Sequence, residues 1–173
     1  TDGSTDFVPY YTNAAEGTNQ GIEIETIWQL SESVEAFANL GLLDAKFDQF
    51  INEIGENLSN RDQAHAPNYT YSTGLNFSRN QWQANLSLEG RDNFYFSVSH
   101  QEKSDTMSLV NASLAYNHEN WQLRLWARNL TDEDYSIRGF GSFGNDPRDG
   151  YTTRPFVQFG EPRIIGVTGS YQL

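Results

Sequence analysis

Ile165-Gly166-Val167-Thr168-Gly169-Ser170-Tyr171-Gln172-Leu173 are the last nine residues of the sequence. Ile165, Val167, Gly169, Tyr171 and Leu173 alternate with Gly166, Thr168, Ser170 and Gln172. A strand turns successive side chains to opposite faces, so this segment reads as a strand with one apolar face and one small, polar face. A tilted strand of about nine to eleven residues crosses the hydrocarbon of a bilayer. The same alternation recurs upstream. Ile22, Ile24, Thr26 and Trp28 share a face, as do Val34, Ala36, Ala38, Leu40 and Leu42, and then Tyr69, Tyr71, Thr73, Leu75 and Phe77. Three more sets follow: Trp82, Ala84, Leu86 and Leu88; Val110, Ala112, Leu114 and Tyr116; Trp121, Leu123, Leu125 and Ala127. Seven strands are expected, from about 20 to 30, 34 to 50, 68 to 78, 82 to 91, 110 to 116, 121 to 128 and 153 to 173, the last ending in the alternating nine residues. After Leu42 the apolar set shifts to Leu43, Ala45 and Phe47, which predicts a β-bulge near Leu42. Phe94-Tyr95-Phe96 offers a possible continuation of the fourth strand, and Phe7 to Thr12 a poor eighth one, because Pro9 disfavours a central strand.

The connections alternate short and long. Ser31-Glu32-Ser33, Arg79-Asn80-Gln81 and His118-Glu119-Asn120 are tight turns; 51–66, 93–104 and 137–151 are long polar excursions. Aromatic residues flank the short turns: Trp28, Phe77 and Trp82, Tyr116 and Trp121, and Tyr171 in the last strand. A transmembrane barrel has a reason for both regularities, with short periplasmic turns, long outer loops and aromatic rings at the headgroup level. The competing reading is a soluble sandwich or small barrel that turns the same apolar faces inward around an apolar ligand. A barrel without a transport role, structural or adhesin-like, is a third.

Composition narrows the classes. The chain has 173 residues, the length of one domain, with 37% hydrophobic and 14% aromatic residues and a formal charge of −12. The acidic balance argues against nucleic acid as a partner. No run reaches the eighteen apolar residues of a helical span, and the mean hydropathy of −0.65 is no argument against strands whose alternate residues are polar. Without cysteine there is neither a disulfide framework nor a thiolate metal site. His65, His100 and His118 lack ligand spacing, so no metal and no cofactor is expected. Asp132-Glu133-Asp134 reads as a solvated charge cluster, and Asn-X-Ser/Thr triplets such as Asn85-Leu86-Ser87 as lumen-facing strand rather than glycosylation sites. Nothing resembles a nucleophile elbow or another catalytic constellation, so an enzyme is not expected. Seven strands are also an odd number, whereas bacterial outer-membrane barrels close with an even one. A larger barrel is implied.

Two motifs carry a family resemblance. Asn129-Leu130-Thr131-Asp132-Glu133-Asp134-Tyr135 follows the sixth strand, and Gly160-Glu161-Pro162-Arg163 leads into the last alternation. Together with Gly21-Ile22-Glu23-Ile24-Glu25 and Pro67-Asn68-Tyr69-Thr70, this pattern resembles the C-terminal part of TonB-dependent outer-membrane receptors. The resemblance spans nearly the whole chain. It implies an all-β, antiparallel up-and-down meander of about seven strands, the C-terminal portion of a 22-stranded transmembrane β-barrel in the outer membrane of a Gram-negative bacterium. Residues 1–173 would then be barrel, with no plug domain among them. The implied function is TonB-energised import of a scarce nutrient: a siderophore, cobalamin, a glycan or similar. The implied partners are outer-membrane lipid, the rest of the barrel and its plug, TonB through the N-terminal part, and the barrel-assembly machinery. Tyr171 and Leu173 occupy the place of the family's assembly signal, with Leu where the family usually ends in Phe. For ligand binding, the last long loop is the best candidate, with Arg138, Asp146, Arg148 and Tyr151 as recognition groups; arginine suits carboxylate or phosphate, and tyrosine stacking. The alternative for this loop is a rim whose Asp-Pro and Asp-Gly steps set turns.

Overall fold

The computed structural model describes residues 16–52, 55–98, 100–140, 147–150 and 156–172. Among these residues nine strands form: β1 (Glu16–Ser31), β2 (Val34–Gln49), β3 (Tyr69–Arg79), β4 (Trp82–Arg91), β5 (Met107–His118), β6 (Trp121–Arg128), β7 (Ser136–Phe140), β8 (Phe156–Phe159) and β9 (Ile164–Tyr171). Seven of them make one antiparallel sheet in the order β1-β2-β3-β4-β5-β6-β9, and β7 pairs with β8 as a separate hairpin. The sheet is the expected meander. The suggested strand at Phe7 to Thr12 lies outside the described residues.

Register carries the alternation from strand to strand. Trp28 pairs with Ala36, Ala36 with Leu75, Leu75 with Leu86, Leu86 with Ala112, Ala112 with Ala127 and Ala127 with Ile165. The neighbouring row, on the opposite face, runs Gln29, Glu35, Asn76, Asn85, Ser113, Trp126 and Gly166. Within it Asn85 donates to Asn76 Oδ1 at 2.8 Å, and Asn76 donates to Glu35 Oε1 at 3.1 Å. A one-residue slip anywhere would mix the two faces, so the pattern itself specifies the register.

The apolar face is open. Leu86 is 50% exposed, Leu125 51% and Val167 66%. The buried apolar side chains are Ala45, Leu58, Phe94, Phe96, Leu109 and Ala115, on the polar-face side of β2 and β5 and in the loops above. An inward-turned apolar pocket is therefore not favoured, and the open face is the one suited to lipid. Two large rings nevertheless lie on the polar face, where glycines make room for them. Phe37 covers Gly74 and Trp126 covers Gly166; a β-carbon at either glycine would sit 2.7 Å or less from the ring.

Three expectations need correction. No bulge occurs at Leu42, because pairing with β1 continues through Ile22↔Leu42, Gly21↔Leu43 and Asn19↔Ala45; the two irregularities of this ladder lie beyond Phe47 and beside the turn, between Gln29 and Ser31. The apolar set inverts for an environmental reason. Above Leu42 the outward positions Asp44 and Lys46 form an exposed ion pair of 2.8 Å, while inward Ala45 is covered by the loop after β2. Phe94-Tyr95-Phe96 does not prolong β4, which ends at Arg91; Tyr95 makes isolated bridges to Ala64 and Lys103. The excursion after β6 and the beginning of the expected last strand hold the β7–β8 hairpin, so β9 starts only at Ile164; strands of five and four residues with fifteen residues between them do not announce themselves in sequence.

The tight turns match the reading. Each short connection has two residues, and the first is in the left-handed region at Asn80 (φ 53°) and Glu119 (φ 45°). Rings gather at this end: Tyr116 lies 4.8 Å from Trp82 and 5.7 Å from Trp121, and His118 stacks on Trp121 at 5.5 Å.

Candidate functional site

At the opposite end, the three long loops interlock above the polar face. Arg91, the last residue of β4, ties two of them together. Its Nη1 donates to the Asp92 and Asp105 carbonyls and to Ser104 Oγ, its Nη2 donates to the Ser136 carbonyl at 2.8 Å, and its guanidinium lies 4.5 Å from the Phe94 ring. Phe96 in turn packs on the bare Cα of Gly139 in β7. The loop after β2 joins through Arg61. Arg61 Nη2 donates to the carbonyls of Ser97 (2.7 Å) and His100 (2.8 Å), and its guanidinium stacks 3.8 Å above Tyr95.

The Asn129 motif is the hinge between β6 and the last excursion. Asn129 is buried and left-handed (φ 47°), a conformation asparagine tolerates better than most residues. Its Nδ2 donates to the carbonyls of Glu133 (2.8 Å) and Glu161 (3.0 Å), and its Oδ1 accepts from the Glu133 N–H at 2.9 Å. Asp132, also left-handed, accepts from the Arg163 N–H and pairs with its guanidinium at 3.2 Å. Glu133 accepts from the Ser108 N–H, and Arg128 pairs with Glu161 at 3.2 Å. The cluster Asp132-Glu133-Asp134 is thus more than a solvated face: Asp132 closes a clasp between the end of β6 and the start of β9, and Glu133 ties the same turn to the start of β5. Gly160 completes it, since its N–H donates to the Tyr135 carbonyl and the Tyr135 ring fills the space a side chain would need.

On the polar face, an open depression of about 420 Å³ lies below the loops. Glu23, Glu25, Asn39, Thr70, Ser72, Glu89 and Arg91 border it, and Gly41 leaves its floor bare. Among the described residues, no three His, Asp or Glu side chains stand together as metal ligands.

Of the four expected ligand-binding residues, Arg138 stands exposed in β7 opposite Gln158, and Arg148 exposed in the single 3₁₀ turn Pro147–Asp149. Both have interaction partners within the chain. Asp146 and Tyr151 lie outside the described residues, as does Leu173. Tyr171 is exposed on the apolar face opposite Trp121. Arg61, Arg91 and His100, which organise the loops, carried no spacing signal; each sits in a polar stretch or at a strand end, and only the fold brings its partners to it.

This arrangement, a polar wall capped by interlocked loops and backed by a lipid-suited face, has counterparts. Residues 1–130 of the 173 match the family model described as TonB dependent receptor-like, beta-barrel. The chain belongs to the TonB-dependent receptor family. Its barrels are proteins of the Gram-negative outer membrane, and the family comprises receptors and transporters. Among solved structures, this receptor barrel segment is similar to the ferric yersiniabactin uptake receptor FyuA from Yersinia pestis, at 17% identity and a TM-score of 0.74, over 92% of this chain and 24% of that one. It is also similar to the ferric citrate transporter FecA in its unliganded form (16%, 0.68, 91% and 24%) and to the copper transporter OprC (17%, 0.61, 91% and 24%). The receptor segment thus spans about a quarter of the length of these structures, and matches the C-terminal part of such barrels.

Proposed function

We propose that this chain supplies the last strands and outer loops of a barrel that imports a scarce nutrient across the outer membrane with energy delivered by TonB. The observation that carries the reading is the seven-stranded sheet whose apolar rows face outward in unbroken register while its polar rows face the loops and the depression. Such a sheet is stable only when lipid covers one side and further strands continue its edges at β1 and β9. The plug, the remaining strands and the TonB-contacting segment belong to the whole receptor, and the barrel-assembly machinery would read Tyr171 and Leu173. The role is transport, without catalysis. Cargo is a metal chelate or a nutrient of similar size, a choice supported by neighbours named for ferric yersiniabactin, ferric citrate and copper. Arg138, Asp146, Arg148 and Tyr151 remain the proposed loop contacts to it.

The test is uptake by cells in which the full-length receptor is the sole importer under nutrient limitation. Labelled ferric siderophores, copper complexes, cobalamin and glycans would be offered to strains with and without TonB. At least one should accumulate only with TonB present. Equal accumulation in both strains would overturn the energised-import reading.

A further inference from the structure

In a chain of formal charge −12, one spot in the outer loops gathers Arg61, His100 and Lys103, with the Glu102 carboxylate beside His100. Arg61 spends Nη2 on two carbonyls, yet its Nε and Nη1 are buried with no hydrogen-bond partner. His100 Nε2 is buried and unpartnered as well. His100 Nδ1 accepts from the Glu102 N–H at 3.3 Å, so in the neutral ring the proton sits on Nε2, which is a donor. The His100 carbonyl is itself one of the acceptors for Arg61, which places the two side chains in one locality. Lys103 Nζ lies 4.2 Å from the centre of Tyr95, the same ring on which Arg61 stacks. Neither Arg61 nor Lys103 forms an ion pair with a carboxylate among the described residues.

Buried donors without acceptors are rare, because each forfeits its hydrogen bonds to water. Two such atoms on one guanidinium and a third on the histidine whose carbonyl it grips, with a second cation on the same tyrosine ring, define a local excess of donors. The matching chemistry is an oxyanion. Carboxylate and phosphate oxygens accept several hydrogen bonds at once, and the edge of a guanidinium whose Nε and one Nη lack acceptors is the geometry that grips two of them.

We propose that Arg61 and His100, supported by Lys103, form an oxyanion-binding site in the outer loops, filled by a carboxylate or phosphate group that locks the loop after β2 to the loop after β4. The two loops meet here through side chains and a single backbone bridge between Ala64 and Tyr95. An anion held by Arg61 and His100 would add a bond between the two loops. The site goes beyond the import reading and does not rest on it, since binding is read on the purified protein without TonB.

Sulfate is the probe, because its charge is constant across the working pH range. Full-length receptor in neutral detergent would be titrated calorimetrically with sulfate against a chloride series of equal ionic strength. Saturable binding beyond the chloride control is expected. His100→Ala, which leaves both backbone carbonyls of the Arg61 grip in place, should weaken it about tenfold while thermal unfolding of the barrel stays unchanged. Arg61→Lys, which keeps the charge and removes the fork, should abolish it. Wild-type protein that binds no sulfate above the chloride control would overturn the site, and so would variants that bind as the wild type does. The source of the group is separated by repeating the titration with vesicles containing an anionic phospholipid. Competition between vesicles and sulfate identifies a lipid headgroup, and undisturbed sulfate binding identifies a soluble anion.

Discussion

Asn129 shows how one side chain can hold a junction. It satisfies two carbonyls and one N–H while its backbone occupies the left-handed region. Asn129→Ala removes all three bonds and is expected to cost about 3 kcal/mol, since a typical hydrogen bond contributes roughly 1 kcal/mol. Asn129→Gly loses the same bonds without the backbone penalty and should be milder by about 1 kcal/mol. Urea unfolding of the full-length barrel in lipid vesicles, followed by tryptophan fluorescence, measures both. His100 gives a pH prediction at the same scale. Burial pushes its imidazole below the ordinary histidine value of 6.5; Glu102 opposes the shift and Arg61 reinforces it. The unfolded loop therefore takes up the proton first. The contribution to loop stability is full above about pH 6.5 and is lost as the pH falls from there through the folded-state value. Protease cleavage of the loop after β4 should accelerate on going from pH 7.5 to 5.5 in the wild type, and His100→Gln should flatten that response.

The strands make their own predictions. Leu86 and Leu125 lie near the middle of β4 and β6 on the open face. Arginine at either position should destabilise the barrel by about 2–4 kcal/mol, whereas Ser87→Arg, on the polar face, should be close to neutral. The same vesicle unfolding assay decides, and a larger cost for Ser87→Arg than for Leu86→Arg and Leu125→Arg would reverse the orientation of the sheet. The loops respond at a different residue. Arg91 reaches Ser104, Asp105 and Ser136 from the end of β4, so Arg91→Met should leave the sheet intact while the loops after β4 and β6 become protease-sensitive. Loss of the sheet itself would show that Arg91 holds more than the loops.

For the whole molecule the decisive property is that little of the sheet is covered. Its apolar face is open, and among the described residues β1 and β9 each present an unpaired edge, a template for joining another chain. The isolated 173-residue chain should accordingly aggregate without detergent, and size-exclusion chromatography checks it. A compact, detergent-free monomer would return the reading to a soluble sandwich. The strands also differ in reach. β1 and β2 have sixteen residues, and β6 and β9 have eight. The longer pair overruns the roughly ten residues that a bilayer needs, so its outer end stands above the membrane, where the faces of β2 change chemistry.

Period-two alternation is a local property, and seven strands, their faces, the aromatic turn end and the loop asymmetry could all be read from it without knowing any partner. Leu43, Ala45 and Phe47 mark the boundary of that legibility. The sequence shows that their face differs, but a bulge and a change of surroundings produce the same pattern, and only the continuous pairing of β2 with β1 decides between them. The β7–β8 hairpin is too short and too interrupted to signal itself. The clasp around Asn129 appears in sequence as a motif without a mechanism, because its partners come from afar: Ser108 from the start of β5, Glu161 and Arg163 from the connection before β9. The grouping of Arg61 with Tyr95 and His100 has no sequence signature. Faces follow from the spacing of neighbours along the chain, whereas sites follow from residues that meet only when the loops close over the sheet.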